Sequence, residues 1–188
     1  MTSRVLIAGI LGAIAMFIWS SVAHVVLPLG EAGISQIPNE APVIAAMQSS
    51  IGDKDGLYIY PYVDPNDPKM MEKYAELMKT NPSGLLLYHP AGHGKADMMP
   101  LLVQEFVKQL IIALIAAWLL SMTVIATFVN RVVFVTAIGV AMALSTNASY
   151  WIWYGFPLDY TLAYMLIEVV EMLFAGLAIA WWFGRRAA

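Results

Sequence analysis

Four apolar stretches dominate this sequence, and each is long enough to cross the hydrocarbon core of a lipid bilayer. They occupy residues 5–27, 110–129, 132–150 and 161–183. A helix of about 20 apolar residues spans the roughly 30 Å of hydrocarbon in a bilayer. The pattern therefore predicts an all-α transmembrane protein whose core is a four-helix membrane bundle.

The balance of residue types agrees with this prediction and excludes other classes. Hydrophobic residues make up 60% of the 188 residues and charged residues only 12%, whereas soluble domains carry about 25% charged residues. The net charge of -3 leaves no basic surface for nucleic acid. The absence of cysteine excludes disulfides, thiolate catalysis and cysteine-ligated metal centres. The chain is thus not an ordinary soluble enzyme, and we expect no nucleic-acid partner.

The polar and helix-breaking residues divide the chain into five predicted segments. We expect a polar turn at Asn130-Arg131 between the second and third spans, and a break at Gly155-Phe156-Pro157 before the fourth. The segments are transmembrane helix 1 (1–27), a small α/β extracytoplasmic cap (28–100), a long helix containing span 2 (101–130), span 3 (131–154), and span 4 with a tail (155–188).

The cap between helices 1 and 2 has its own helix and strand signals. Asn39 precedes a helix-forming run, and a second helix begins after Asp67-Pro68 and runs to about Lys79. Aromatic and branched residues at 56–63 and an apolar run at 85–89 are typical of short strands. These signals predict a small α/β cap that holds a two-stranded ribbon.

The positions of the basic residues predict the orientation in the membrane. All six lysines lie within or just after the cap, and the arginines lie at the two termini and at the turn between spans 2 and 3. The positive-inside rule counts short connections and discounts long loops. We therefore expect a multi-pass protein of a bacterial inner membrane, with both termini cytoplasmic and residues 28–100 extracytoplasmic. The four arginines are Arg4, Arg131, Arg185 and Arg186.

Polar residues inside the spans mark the first candidate site, because ionisable groups in a membrane are costly and usually face the bundle interior. Glu168 and Glu171 are three residues apart and so share one face of the fourth helix. A rise of about 1.5 Å per residue places polar residues of the other spans at the same depth, with Glu171 one turn deeper. The predicted pocket comprises His24, Asn147, Tyr150, Tyr164, Glu168 and Glu171.

Four interpretations of this pocket remain open. His24, Glu168 and Glu171 form an oxygen and nitrogen ligand set that suits a divalent metal. Two adjacent carboxylates can instead hold a proton, because they do not easily ionise together. Tyrosine and tryptophan walls suit an amphipathic ligand such as a lipid or a quinone. The fourth interpretation is structural, with polar side chains joining the helices by hydrogen bonds.

A second constellation lies in the cap, where His89 and His93 occur in His-Pro-Ala-Gly-His-Gly. Two imidazoles four residues apart are a minimal metal-binding pair for copper or zinc. However, Pro90, Gly92 and Gly94 exclude a regular helix, so the pair is not aligned in advance. A turn rich in glycine and proline is the favoured interpretation of this segment.

No nucleophile elbow, phosphate loop or metalloprotease motif is present, so the sequence favours a non-enzymatic protein. We predict an accessory or assembly subunit of a membrane complex, or a homo-oligomer, whose partners are membrane lipids and other membrane proteins or itself. The alternative is an ion-, proton- or amphipathic-ligand-binding protein that uses the pocket described above. A third option, an enzyme of membrane-lipid chemistry, requires an open groove and His24 or His89 within hydrogen-bonding distance of a carboxylate.

Overall fold

The computed structural model describes residues 2–185, so Arg186 lies outside the described part of the chain. The protein is mostly helical, with one small two-stranded sheet. The α-helices are α1 (Ser3–Ser21), α2 (Glu40–Ile51), α3 (Met70–Thr80), α4 (Met98–Ser121), α5 (Phe128–Ala143), α6 (Ser149–Tyr154) and α7 (Leu158–Gly184), and the strands are β1 (Gly56–Tyr60) and β2 (Gly84–Tyr88).

Four long helices are apolar enough to cross a membrane, as the sequence predicts. Their bounds are Ser3–Val26, Met98–Ser121, Phe128–Tyr154 and Leu158–Gly184. Two of them contain a π-helical turn, which extends α1 over Val22–Val26 and joins α5 to α6 over Leu144–Ala148. The prediction of four membrane-spanning helices is thereby confirmed in length and composition.

The chain divides into two compact units. One unit contains the four long helices and comprises the chain up to Ile34 together with the chain from Asp97 onwards. The other unit is Ser35–Ala96, which carries α2, α3 and the sheet.

Small residues let the long helices approach closely. Helix α1 packs against both α4 and α7, and α5 packs against α7, whereas α4 and α5 make few contacts with each other. A Cβ atom added at Gly9 would lie 2.5 Å from Leu114 Cδ2, and one added at Gly139 would lie 2.5 Å from Met172 Cβ. Close backbone approach through glycine and alanine is the usual way in which membrane helices gain van der Waals contact. The fully buried alanines of this interface include Ala8, Ala13, Ala113, Ala117 and Ala175.

The turn between spans 2 and 3 differs from the sequence prediction. Helix α4 ends at Ser121, and the connection is made by residues 122–127, whereas Asn130 and Arg131 lie in the first turns of α5. Thr127 caps α5 by accepting a hydrogen bond from the Asn130 backbone N–H at 3.3 Å. The real connection is as apolar as the helices that flank it, so composition does not distinguish it from a continuing span. The predicted break before span 4 is confirmed, because Gly155 adopts a left-handed conformation with φ of 68° and ends α6.

The Ser35–Ala96 unit contains the predicted two-stranded ribbon. Strands β1 and β2 are antiparallel, with Gly56 opposite Tyr88 and Tyr60 opposite Gly84. Tyr88 is buried, and its hydroxyl donates to the Gly52 carbonyl at 3.0 Å. A two-stranded ribbon alone is marginally stable, so this contact with the segment after α2 contributes to the stability of the unit.

Candidate functional site

Two of the predicted pocket residues lie in π-helical turns. His24 lies in the turn Val22–Val26 and Asn147 in the turn Leu144–Ala148. A π-helical turn inserts one extra residue into an α-helix, which redirects the side chains beyond it, and such turns occur frequently at functional sites. Both turns belong to the half of the long-helix unit in which α4 and α7 begin.

Asn147 and Glu168 form a polar contact between two of the long helices. The Asn147 side-chain amide donates to Glu168 Oε2 at 3.0 Å and to the Ala143 carbonyl at 3.2 Å. Asn147 is buried, and Glu168 is partly buried. The bond joins the end of the third span to α7, as the predicted convergence of these two residues requires.

Glu171 is held by Gln109, a residue that the sequence pattern does not indicate. Gln109 of α4 is fully buried, and its amide nitrogen donates to Glu171 Oε1 at 3.2 Å and to Glu105 Oε1 at 3.1 Å. Lys108 donates to the same Glu105 oxygen at 2.7 Å. The only sequence signal for Gln109 is that it is an uncharged polar residue at the start of an apolar run. The pair at Glu105 and Lys108 is partly exposed.

Gln109 is also left with an unsatisfied group. Within the described part of the chain, its Oε1 atom is buried and has no hydrogen-bond donor. A buried acceptor without a donor is destabilising by about 1–3 kcal/mol. An additional proton donor or a cation beside the two carboxylates would therefore lower the free energy of this group.

His24 and Tyr164 contact each other, and in the described part of the chain neither side chain hydrogen-bonds to Glu168 or Glu171. Their rings meet edge to face with centroids 6.2 Å apart. The His24 Nδ1 atom is 2.9 Å from the Ser20 carbonyl oxygen, and the Tyr164 hydroxyl donates to the Gly30 carbonyl at 3.4 Å. The His24 ring also packs directly on Gly30, where there is no Cβ atom to exclude it.

Tyr150 enters the site through a row of aromatic rings. It stacks on Phe156 with centroids 5.2 Å apart, and Phe156 meets Tyr160 at 5.5 Å. Tyr160 in turn stacks on Tyr164 at 4.4 Å. The row links the α6–α7 connection to the contact between His24 and Tyr164. The six predicted pocket residues are thus distributed over four contacts in the half of the unit in which α4 and α7 begin.

The arrangement gives no support to a metal centre at His24, Glu168 and Glu171. In residues 2–185, no three histidine, aspartate or glutamate side chains are grouped so that they could hold a metal ion. The carboxylates are paired with amides, and the imidazole contacts a backbone carbonyl. The oxygen atoms of Glu105, Glu171 and Gln109 form a different group from the predicted metal ligands. They can hold a proton or a hard cation.

Below Glu171 the interior of the unit is largely apolar, although the Thr136 Oγ1 atom of α5 is also buried there and has no hydrogen-bond partner in the described part of the chain. Met172, Ala175 and Ile179 on the following turns of α7 are at most 1% exposed. The carboxylates and amides of the cluster thus lie in the half of the unit in which α4 and α7 begin.

His89 and His93 share a partner in the Ser35–Ala96 unit. The Nδ1 atom of His89 lies 2.7 Å from Asp55 Oδ1, and that of His93 lies 2.6 Å from Asp55 Oδ2. The pKa of the Asp55 carboxyl is below its usual value because His93 and, second, His89 hydrogen-bond to it. The predicted turn is present, since the His93 N–H donates to the Pro90 carbonyl at 3.0 Å.

The shared carboxylate meets one requirement of the enzyme option, because His89 lies within hydrogen-bonding distance of Asp55. All three side chains are about half exposed, however, and one carboxylate serves both rings. In catalytic dyads the carboxylate orients a single imidazole toward a reacting group. The cluster instead ties the turn at 89–93 to the segment before β1. Asp55 could not be predicted as the shared partner, because it lies more than 30 residues away from both histidines in the chain.

The chain matches no protein-family model, no curated protein and no solved structure.

Proposed function

We propose that this protein is a non-enzymatic integral protein of a bacterial inner membrane that acts as an accessory or assembly subunit of a membrane complex, or as a homo-oligomer. The proposal rests on the exposed apolar surface of α2. This helix is rich in apolar residues, and none of its residues is buried. Contiguous exposed apolar surface outside a membrane span usually marks a site of interaction.

The composition of α2 favours a protein partner over a lipid surface. Its only charged residue is Glu40, and it contains no lysine or arginine. Helices that lie on membranes generally carry basic residues on their polar face. Pro42, Val43, Ala46 and Met47 lie together on one face of α2 and form an open apolar surface, which suits contact with the apolar side chains of another protein.

Native mass spectrometry of the protein in mild detergent tests this proposal. We expect a defined homo-oligomer or a complex with other subunits. The double variant Val43→Asp/Met47→Asp should dissociate it, whereas Met71→Asp, at a residue of α3 that is 71% exposed, should leave it intact. If the wild-type protein is a monomer even in the mildest detergent and no other subunit co-purifies with it, the proposal is wrong.

We further propose that both termini are cytoplasmic and that residues 28–100 are extracytoplasmic, since the positive-inside rule favours this orientation. The lack of native cysteine makes single-cysteine labelling straightforward. A membrane-impermeant maleimide should label Ser83→Cys in intact cells and should label Ser3→Cys, at an exposed residue at the start of α1, only after lysis. Labelling of Ser3→Cys in intact cells would show the opposite orientation.

Within this proposal the bonds of Glu168 and Glu171 hold helices together. Each interhelical bond then contributes about 0.6–2 kcal/mol. The second candidate function is the binding of a proton, an ion or an amphipathic ligand. It is favoured by the Gln109 Oε1 atom, which lacks a donor and lies beside the carboxylates of Glu105 and Glu171.

Isosteric variants distinguish the two functions of the cluster. Glu168→Gln and Glu171→Gln keep the side-chain shape and remove the charge. If the cluster is structural, each variant lowers the melting temperature, and neither Na⁺ nor Ca²⁺ stabilises the wild-type protein. If it binds a cation, one of these ions raises the wild-type melting temperature, and Glu171→Gln abolishes that increase. Elemental analysis of the purified protein provides an independent measurement.

A further inference from the structure

A cavity lies at the opposite end of the long-helix unit from the polar cluster. We call this end the arginine end, and it comprises the start of α1, residues 122–131 and the end of α7. The cavity has a volume of about 280 Å³. Arg4 and Arg131 both line it, together with Ser121, Thr123 and Phe183. It therefore brings together two guanidinium groups from different helices.

Backbone carbonyl groups hold both guanidinium groups in place. One terminal nitrogen of Arg4 donates to the carbonyl of Phe183 at 2.7 Å and to that of Arg185 at 2.8 Å. The Nε atom of Arg131 donates to the Ile125 carbonyl at 3.0 Å. These contacts orient the side chains and use only part of the five N–H donors that a guanidinium carries.

The positive charge at this end is not neutralised by acidic side chains. The sequence has no aspartate or glutamate in residues 1–30, 106–158 or 172–188. Within residues 2–185, every ion pair of the structure involves lysine or histidine, and none involves arginine. Two oriented guanidinium groups that have no carboxylate partner in residues 2–185 have the chemistry that suits an anion.

The surface around the cavity is apolar. Met122 is 67% exposed, Val124 100% and Val129 64%, so the connection between α4 and α5 presents aliphatic side chains outward. Trp181 is also exposed, and Arg185 stacks over its ring at 4.3 Å. Exposed tryptophan beside arginine is typical of the membrane–water interface. An anion that binds here would thus have apolar groups next to it.

We infer that this cavity binds the phosphodiester group of an anionic phospholipid. Guanidinium groups pair with phosphate oxygens through two parallel hydrogen bonds, which makes arginine well suited to this group. Basic pockets between membrane helices are known to accommodate anionic lipid head groups. The apolar connection at 122–127 packs against the acyl chains, which a free phosphate ion does not possess.

Lipid titration of the detergent-solubilised protein by native mass spectrometry tests this site. Phosphatidylglycerol should bind at one site more tightly than phosphatidylcholine of the same chain length. Arg131→Gln and Arg4→Gln should each weaken the binding of phosphatidylglycerol by roughly tenfold or more, since each removes charge-assisted hydrogen bonds. Arg185→Gln is the matched control, because Arg185 lies at the same end and does not line the cavity.

Three results would overturn the inference. Equal affinity for the two lipids would show that the head group is not recognised. An equal loss in Arg131→Gln and Arg185→Gln would show that only the net charge matters. Inorganic phosphate that displaces the lipid at the same concentration as phosphatidylglycerol itself would identify a general anion site.

A measurement on the wild-type protein keeps the inference testable if the arginine variants do not fold. Phenylglyoxal modifies accessible arginine side chains, and peptide mapping locates the modified residues. Phosphatidylglycerol should protect Arg4 and Arg131 and leave Arg185 reactive. Equal reactivity of Arg4 and Arg131 with and without this lipid would contradict the site.

Discussion

Replacing Gly139 by alanine tests the close approach of α5 and α7, which places Asn147 beside Glu168. The added Cβ atom would lie 2.5 Å from Met172 Cβ and 2.7 Å from Met172 Cγ. Carbon atoms normally pack about 3.5–4.0 Å apart. Because the Cβ atom of Met172 is attached to the backbone, no rotation of its side chain relieves the contact, and the helices must separate by roughly 1 Å.

The expected cost follows from this overpacking. Extra methyl groups forced into a packed interior typically cost about 1–3 kcal/mol. For a chain of this size each kcal/mol lowers the melting temperature by roughly 2–4 °C, so we expect a decrease of about 2–12 °C. Tryptophan fluorescence during thermal unfolding in one detergent measures it. Gly184→Ala is the control, because a Cβ atom there meets nothing within 4 Å.

A melting temperature of Gly139→Ala equal to or above that of the wild type would refute this packing. A double-mutant cycle sharpens the test. Gly139→Ala should cost less stability in a Met172→Gly background than in the wild type, because no Cβ atom at residue 172 then opposes the added one. Equal costs in the two backgrounds would indicate that the two residues do not face each other.

Two further predictions concern single contacts. Trp19→Phe removes the hydrogen bond from Nε1 to the Ile167 carbonyl, which is 3.1 Å long, and should lower the free energy of unfolding by about 0.5–1.5 kcal/mol; no change in a denaturant titration would contradict the contact. The pKa of Asp55 is lowered by His93 and His89, so its stabilising contribution is present above about pH 4 and is lost as the pH falls through the lower folded pKa. Asp55→Asn should therefore melt with a weaker pH dependence than the wild type between about pH 5 and pH 2, and identical pH profiles would show that the carboxylate plays no such part.

The polar cluster could be predicted from the sequence only in part. Spacing and helical rise suffice to put Asn147 and Glu168 at one depth, because both properties are local to a helix. They cannot predict which residue of α4 meets Glu171, since that depends on how α4 packs beside α7. Gln109 was missed for this reason, and Asp55 was missed because its contacts with His89 and His93 depend on folding of the whole Ser35–Ala96 unit.

The sequence by itself determined the number of long apolar helices and the separation of arginines from acidic residues. Both can be read from residue type along the chain. A bilayer requires about 20 apolar residues per helix wherever that helix packs, and the positions of charged residues are given directly by the sequence. Only the tertiary structure decided the turn at 122–127, the Gln109 contact with Glu171 and the cavity shared by Arg4 and Arg131. The contact and the cavity each join residues that are distant in sequence, and the turn is made by a segment as apolar as the helices beside it. Hydrophobicity along the chain predicts neither a contact between distant residues nor a turn in an apolar segment.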